Sequence, residues 1–355
     1  MVDTLDRLLF TAGPVEVRRD VLKAMTKPMI THRSSDYKKL HHSVVERLKE
    51  LLGTENDIFL IPASSTGAME AGVRSAVSRN ILHLTCGSFA ERWVEISRSN
   101  GKTATVVSTE WGKAIVPELI GSAADGVEAV AVTHNESSTG VMNPLESIAA
   151  HLRKTPDVLL MVDAVTSAFG NIIDMKSVKP DLLLFGTQKA LALPPGMAIA
   201  VVSERLLERA KGVEDRGRYL DLVEIKEFAD RDLVPTTPPI SLLYALDYQL
   251  DRIKEEGMQK RADRHFRMAE MARKWASDHM SLFSQEGFHS NTITCVNNTS
   301  GMDFKQIDEG LAKRGYQIAE GYGKLKSKTF RIGHMGDLTT EEMGGLLDSL
   351  TEVTA

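Results

Sequence analysis

Seven short apolar runs separated by longer, mostly helical stretches constrain this chain more than any other feature. The runs are residues 57–61, 80–86, 103–107, 127–133, 158–163, 181–185 and 197–202. Most are too short for helices and too continuously apolar for half-exposed strands, so they are expected to lie buried in a largely parallel sheet. Between them, residues 37–52 set Leu40, Val44, Val45, Leu48, Leu51 and Leu52 at helical spacing, with Gly53 as the stop. Further helices are expected from Thr66, Ser88 and Pro144.

After Val202 the pattern changes. A helix over 241–256 ends near Gly257, and a long charged helix follows over 259–279. Beyond it, strands are expected at 291–296, 316–319 and 329–332, with helices at 303–314 and 340–350. The expected organisation is an N-terminal segment over 1–13, a large α/β domain over 14–256 and a smaller C-terminal α/β domain over 257–355.

Charge narrows the partners. With 43 basic and 48 acidic residues and no long run of either sign, the chain offers no electrostatic footprint for nucleic acid or an anionic membrane. No run approaches the roughly 20 apolar residues of a membrane helix. Asp3, Asp6 and Arg7 interrupt the N-terminus where a secretory signal would be apolar. The two cysteines, Cys86 and Cys295, sit far apart in apolar surroundings, which speaks against a disulfide framework or a thiolate metal site. A cytoplasmic protein acting on small molecules, with no metal, is the expectation.

In parallel sheets, ligands bind beyond the carboxyl ends of the strands. Those positions are unusually polar here: 64–67, 87–89, 134–140, 163–167 and 186–189. Lys189 follows one apolar run and precedes a nearly uncharged stretch. Desolvation there would lower its pKa and suit it to attack an aldehyde, although a loop lysine reaching solvent is the plainer alternative. Asp163 terminates another run with no basic neighbour in sequence. A protonated pyridine nitrogen would balance it, and so would a simple capping role. Ser64, Ser65 and Thr66 open a helix and can bind a phosphate or merely cap it; the loop lacks the glycine fingerprint of dinucleotide sites. Arg331, inside the run 329–332, needs a partner, either a substrate carboxylate or a structural acid.

Taken together, Asp163-Ala164-Val165, Thr187-Gln188-Lys189 and Pro194-Pro195-Gly196 resemble the class V aminotransferases of pyridoxal phosphate fold type I, nearest the alanine-glyoxylate and serine-pyruvate enzymes. The likeness runs from Thr11-Ala12-Gly13-Pro14 to Arg331-Ile332-Gly333. It implies a seven-stranded, mostly parallel sheet and pyridoxal 5'-phosphate carried on Lys189, with Asp163 at the ring nitrogen and Gln188 alongside. It implies Ser64, Ser65 and Thr66 at the phosphate, Phe89 stacked on the ring, Ser137 beside it and Val165 on its opposite face. Arg331, with Gly13 nearby, would hold the substrate carboxylate. Thr237 would reach the phosphate of the neighbouring subunit, which implies a homodimer with shared sites.

Two departures stand out. Val234 replaces a tyrosine found in some relatives, thinning that cross-subunit contact, and Phe89 replaces the tryptophan of the eukaryotic enzymes. The segment His32-Arg33-Ser34 also resembles one that meets substrate phosphate in phosphoserine aminotransferases, with an arginine pairing across the dimer as its alternative.

The expected activity is ping-pong transfer of an amino group from alanine, serine or a similar small amino acid to glyoxylate or pyruvate. Phosphoserine, aspartate and 2-aminoethylphosphonate remain alternative donors. A lyase or desulfurase of the same fold is a rival, although neither cysteine is placed to act as a mobile nucleophile.

Overall fold

All seven runs are strands of one sheet. The computed structural model describes residues 7–355; the first six residues of the expected N-terminal segment lie outside the described part. In chain order the strands are β1 Leu8–Phe10, β2 Asp57–Ile61, β3 Asn80–Thr85, β4 Thr103–Ser108, β5 Ala129–Thr133, β6 Asn135–Glu136 and β7 Val141–Met142. There follow β8 Leu159–Asp163, β9 Leu182–Gly186, β10 Ala198–Val202, β11 Ser281–Leu282, β12 Ile293–Asn297, β13 Tyr316–Glu320 and β14 Thr329–Gly333.

The larger sheet has the order β2-β10-β9-β8-β5-β3-β4. The pairs β9/β8, β8/β5, β5/β3 and β3/β4 are parallel, whereas β10 runs antiparallel to both β2 and β9. Alternation along each strand explains the two layers. Val130, Val132, Leu160, Val162, Leu183 and Phe185 point into one core, while Ala129, Ala131, Leu159, Met161, Leu182 and Leu184 point into the other. Both faces are covered, which is why these segments read as unbroken apolar runs. At the edge, β4 is largely exposed, with Val106 38% accessible.

Helix Ser35–Leu52 is fixed at both ends. The Ser34 hydroxyl accepts from the Tyr37 N–H at 3.2 Å, and Gly53 takes φ 65°, the left-handed conformation glycine adopts most easily. Helices Ile240–Glu256 and Met258–His279 are separated only by Gly257.

The second sheet is β1-β13-β14-β12-β11, packed against helices Met258–His279, Phe304–Ala312 and Thr340–Thr354 around Phe10, Trp275, Phe330 and Ile332. β1, from the chain's other end, pairs parallel with β13. No helix among the described residues is long and apolar enough to cross a membrane.

Candidate active site

The carboxyl ends of β2, β5, β8 and β9 converge on a cavity of about 320 Å³. Eleven of the positions singled out in the sequence line it: Gly13, Ser64, Ser65, Thr66, Phe89, Ser137, Asp163, Val165, Gln188, Lys189 and Arg331. A larger cavity, about 540 Å³, opens at the opposite end of the sheet near Gly53, Val158 and Ser203. There the acid Asp181 is already matched, its carboxylate accepting from Arg205 Nε at 2.9 Å. The unpartnered polar groups Ser65 and Asn135 are gathered in the smaller of the two.

Lys189 stands three residues beyond β9, and its Nζ donates to the Ala12 carbonyl. Burial pushes its pKa down to about 8, with the charge of Arg331 adding to the fall and that of Asp163 opposing it. Gly13 makes room for it. Its φ is +92°, and a β-carbon there would lie 2.8 Å from Lys189 Nζ and 2.6 Å from Lys189 Cδ. Only a glycine lets the backbone pass so close.

Asp163 ends the adjacent strand β8 and is 4% exposed. Its carboxylate accepts from the Val165 N–H at 2.8 Å and the Thr133 hydroxyl at 3.4 Å. Burial nonetheless lifts its pKa to about 7; the Val165 bond pulls it back and the negative charge of Glu136 adds to the rise. Among the described residues it has no ion-pair partner. Buried and without an ion-pair partner among the described residues, this acid is suited to a cationic ligand.

Helix Ser65–Ala76 presents its N-terminus to the same space. Ser64 makes no side-chain capping bond, and Ser65 Oγ is buried without a partner. The amide of Asn135 is also buried, with neither Nδ2 nor Oδ1 hydrogen-bonded. Each such unmade bond costs about 1–3 kcal/mol, so three orphaned atoms around one cavity favour an occupant that both accepts and donates.

Phe89 opens the helix Ser88–Ser99 and is held by Glu136. That fully buried carboxylate accepts from the Phe89 and Ala90 N–H groups, both at 3.0 Å, and from the Ser138 N–H and hydroxyl at 3.1 and 2.6 Å. Burial raises the pKa of Glu136 and these four donors oppose the rise. Ser137 follows in the hairpin turn between β6 and β7.

Arg331, on β14, donates from Nε and Nη2 to the Glu320 carbonyl at 3.1 and 3.0 Å, and from Nη1 to the Ser137 carbonyl at 3.4 Å. Of the two partners open at the sequence level, a structural acid is absent among the described residues.

Four polar lining side chains escaped the sequence reading: Arg92, Asn135, Thr166 and Tyr322. The first three lie in or beside segments already noticed as polar strand ends, so proximity was the available signal. Tyr322, in the loop between β13 and β14, had none.

Thr237 is exposed and does not line this chain's own cavity. Arg33 also lies elsewhere, donating to the Val234 and Pro235 carbonyls at 2.9 and 3.3 Å. Cys86 and Cys295 are buried and free. Burial raises both thiols, Cys295 to about 11, so neither is a ready nucleophile.

A doubly covered sheet with a lysine and an acid at adjacent strand ends is the architecture of the pyridoxal phosphate-dependent transferases of fold type I. An alanine-glyoxylate aminotransferase from Nostoc sp. superposes with a TM-score of 0.92 at 28% identity, covering 99% of this chain and 96% of that one. Residues 8–326 match the aminotransferase class V family, and the chain belongs to it. It is 36% identical to an uncharacterized aminotransferase of Methanocaldococcus jannaschii, over 94% of this chain and 89% of the relative. It is 31% identical to the serine-glyoxylate aminotransferase of Methylorubrum extorquens, over 96% and 89%. The protein is therefore an aminotransferase of a pyridoxal phosphate-dependent family.

Proposed function

We propose that this enzyme moves an amino group from a small amino acid to glyoxylate or pyruvate, with alanine and serine as the first donors to try and aspartate, phosphoserine and 2-aminoethylphosphonate as alternatives. The observation that carries this reading is the shared cavity of Lys189 and Asp163, edged by unpartnered polar atoms. Serine and glyoxylate enter through the name of the Methylorubrum relative, and alanine through that of the Nostoc structure.

Pyridoxal 5'-phosphate fits the residues present. When bound, it supplies an aldehyde and a ring that takes up electrons. Ser64, Ser65 and Thr66 would hold its phosphate at the open helix terminus, where first-turn N–H groups favour an anion. Phe89 and Val165 would clamp the ring faces, while Ser137, Gln188 and Asn135 offer hydrogen bonds at its edge. The acid of Asp163 matches a protonated ring nitrogen and would keep the proton there.

With the cofactor bound, Lys189 Nζ would hold its aldehyde, and as a buried amine of lowered pKa it would take up the substrate α-proton as general base and return it as general acid. Arg331 orients the α-carboxylate through its planar fork. Gly13 keeps the path of the lysine clear.

The same reading makes the protein a homodimer in the cytoplasm. Thr237, exposed and outside its own cavity, would meet the phosphate of the partner, and Val234 leaves that contact without a neighbouring phenol.

The test is a visible spectrum of the purified chain with added cofactor, followed by single-turnover loss of the lysine-bound band with a panel of donors. Lys189→Ala is expected to abolish the band and lower amino transfer by at least about a thousandfold. Wild-type rates in that variant would sink the proposal. Light scattering at the mass of one chain would remove the shared-site part alone.

A further inference from the structure

Cations outnumber acids around the cavity. Arg92, Lys189 and Arg331 line it, with Asp163 as the sole aspartate or glutamate. In the reading above, Lys189 is committed to the aldehyde and Arg331 to the α-carboxylate. Arg92 is left over.

Arg92 is half-buried at the rim of the cavity and carries no matching acid. Arg47, Arg205, Arg252, Arg261 and Arg264 all pair with carboxylates. Arg92 forms no ion pair among the described residues. Its Nη2 donates to Tyr322 Oη at 2.9 Å, and Nε and Nη1 have no hydrogen-bond partner among the described residues. The guanidinium lies 4.8 Å from the centroid of Phe89, a placement that holds it by cation–π attraction while leaving Nε and Nη1 open to a ligand.

Tyr322 connects this group to the other arginine. Its ring stacks with Phe89 at 5.3 Å and 17°, and Arg331 Cζ stands 5.5 Å from its centroid. Two guanidinium groups thus flank one phenol ring at the edge of the same cavity. Bidentate pairing with an oxyanion is the strong interaction such a fork makes, and a short molecule with two acidic groups could engage both.

We propose that Arg92 receives the side-chain acid of the substrate, so that the preferred donor is an amino acid with a second anionic group close to its α-carboxylate. This rests on the amino-transfer reading and narrows the donors named there to the acidic ones. Tyr322 is the positioning residue, fixing the guanidinium through its hydroxyl.

The experiment compares kcat/KM for aspartate, glutamate and O-phosphoserine with that for alanine and serine, using the cofactor-loaded full chain. At least one acidic donor is expected to exceed both neutral donors by tenfold or more. The order among the three separates a carboxylate from a phosphate. In Arg92→Gln the acidic-to-neutral ratio is expected to fall at least tenfold, and Arg92→Lys to recover part of it. The ratio cancels any general loss of cofactor binding through Phe89. Neutral donors preferred in the wild type, or a ratio unchanged in Arg92→Gln while all rates fall together, would overturn the assignment and leave amino transfer standing. A chain that takes up no cofactor and turns over no donor would instead overturn the reading on which it rests.

Discussion

Lys189 and Asp163 are pushed toward each other on the pH scale, to about 8 and about 7, because burial disfavours the charged form of each. Only the neutral amine attacks an aldehyde. Cofactor uptake should therefore rise through about pH 8 and level off above it, as followed by the visible band; a flat profile from about pH 6 to about pH 9 would contradict the assignment. Asp163 makes the opposite contribution to folding. Its folded pKa lies above the ordinary value, so the cofactor-free chain binds an extra proton between about pH 4 and 7 and loses stability as pH rises through that window. Asp163→Asn should raise the unfolding free energy of the cofactor-free chain above pH 7 by up to about 4 kcal/mol, read from chemical denaturation, while lowering amino transfer at least a hundredfold. Lys189, Asp163 and Arg331 were legible in the sequence because each is a charge set in or beside an apolar run. Asn135 was not, since a neutral amide beside a strand end looks like any turn residue until its lack of partners is visible.

The strands of the large sheet were legible as elements for a physical reason: covered on both faces, they carry no polar alternation to blur them. Orientation was not. β10 runs antiparallel between β9 and β2, and nothing in its composition distinguishes it from its parallel neighbours. The hairpin of β6 and β7 was also hidden, because each arm is only two residues long. Its stability comes from tertiary contacts, above all those of Glu136, which ties the turn at Ser138 to the first turn of the helix carrying Phe89. Glu136→Ala would strand several buried donors. At about 1–3 kcal/mol for each unsatisfied group, with partial relaxation, a loss of about 3 kcal/mol is expected in chemical denaturation. Because Asn135 and Ser137 flank Glu136, the same variant should bind the cofactor more weakly. Unaltered affinity with lowered stability would show that the carboxylate supports the fold without shaping the site.

At the scale of the molecule, the two sheets meet through Arg261, which is 1% exposed on helix Met258–His279. Its Nη2 donates to the carbonyl of Ala190, directly after the lysine, at 2.6 Å and to Asp337, beyond β14, at 3.0 Å. Nη1 pairs with Glu256 at 2.7 Å and Nε donates to the Phe169 carbonyl at 3.2 Å. One guanidinium thus joins the turn that carries Lys189 to the loop that follows the strand of Arg331. Breaking one side of a buried pair costs about 3–5 kcal/mol, since the stranded acid keeps its desolvation penalty. Asp337 retains Arg252 at 2.5 Å, so the lower end of that range is expected for Arg261→Ala. The pH dependence identifies the cause. Burial alone would raise the pKa of Asp337, but the charges of Arg261 and Arg252 hold it below the ordinary aspartate value. A depressed acid stabilises the fold fully above its unfolded pKa and loses that contribution as pH falls through the folded one. The deficit of Arg261→Ala relative to wild type should be full at neutral pH and shrink below about pH 4. High salt should leave the neutral-pH deficit nearly intact, because a pair this deeply buried is poorly screened. A deficit that vanished in salt, or stayed constant through the acid range, would place the effect in lost packing or surface charge instead of this ion pair.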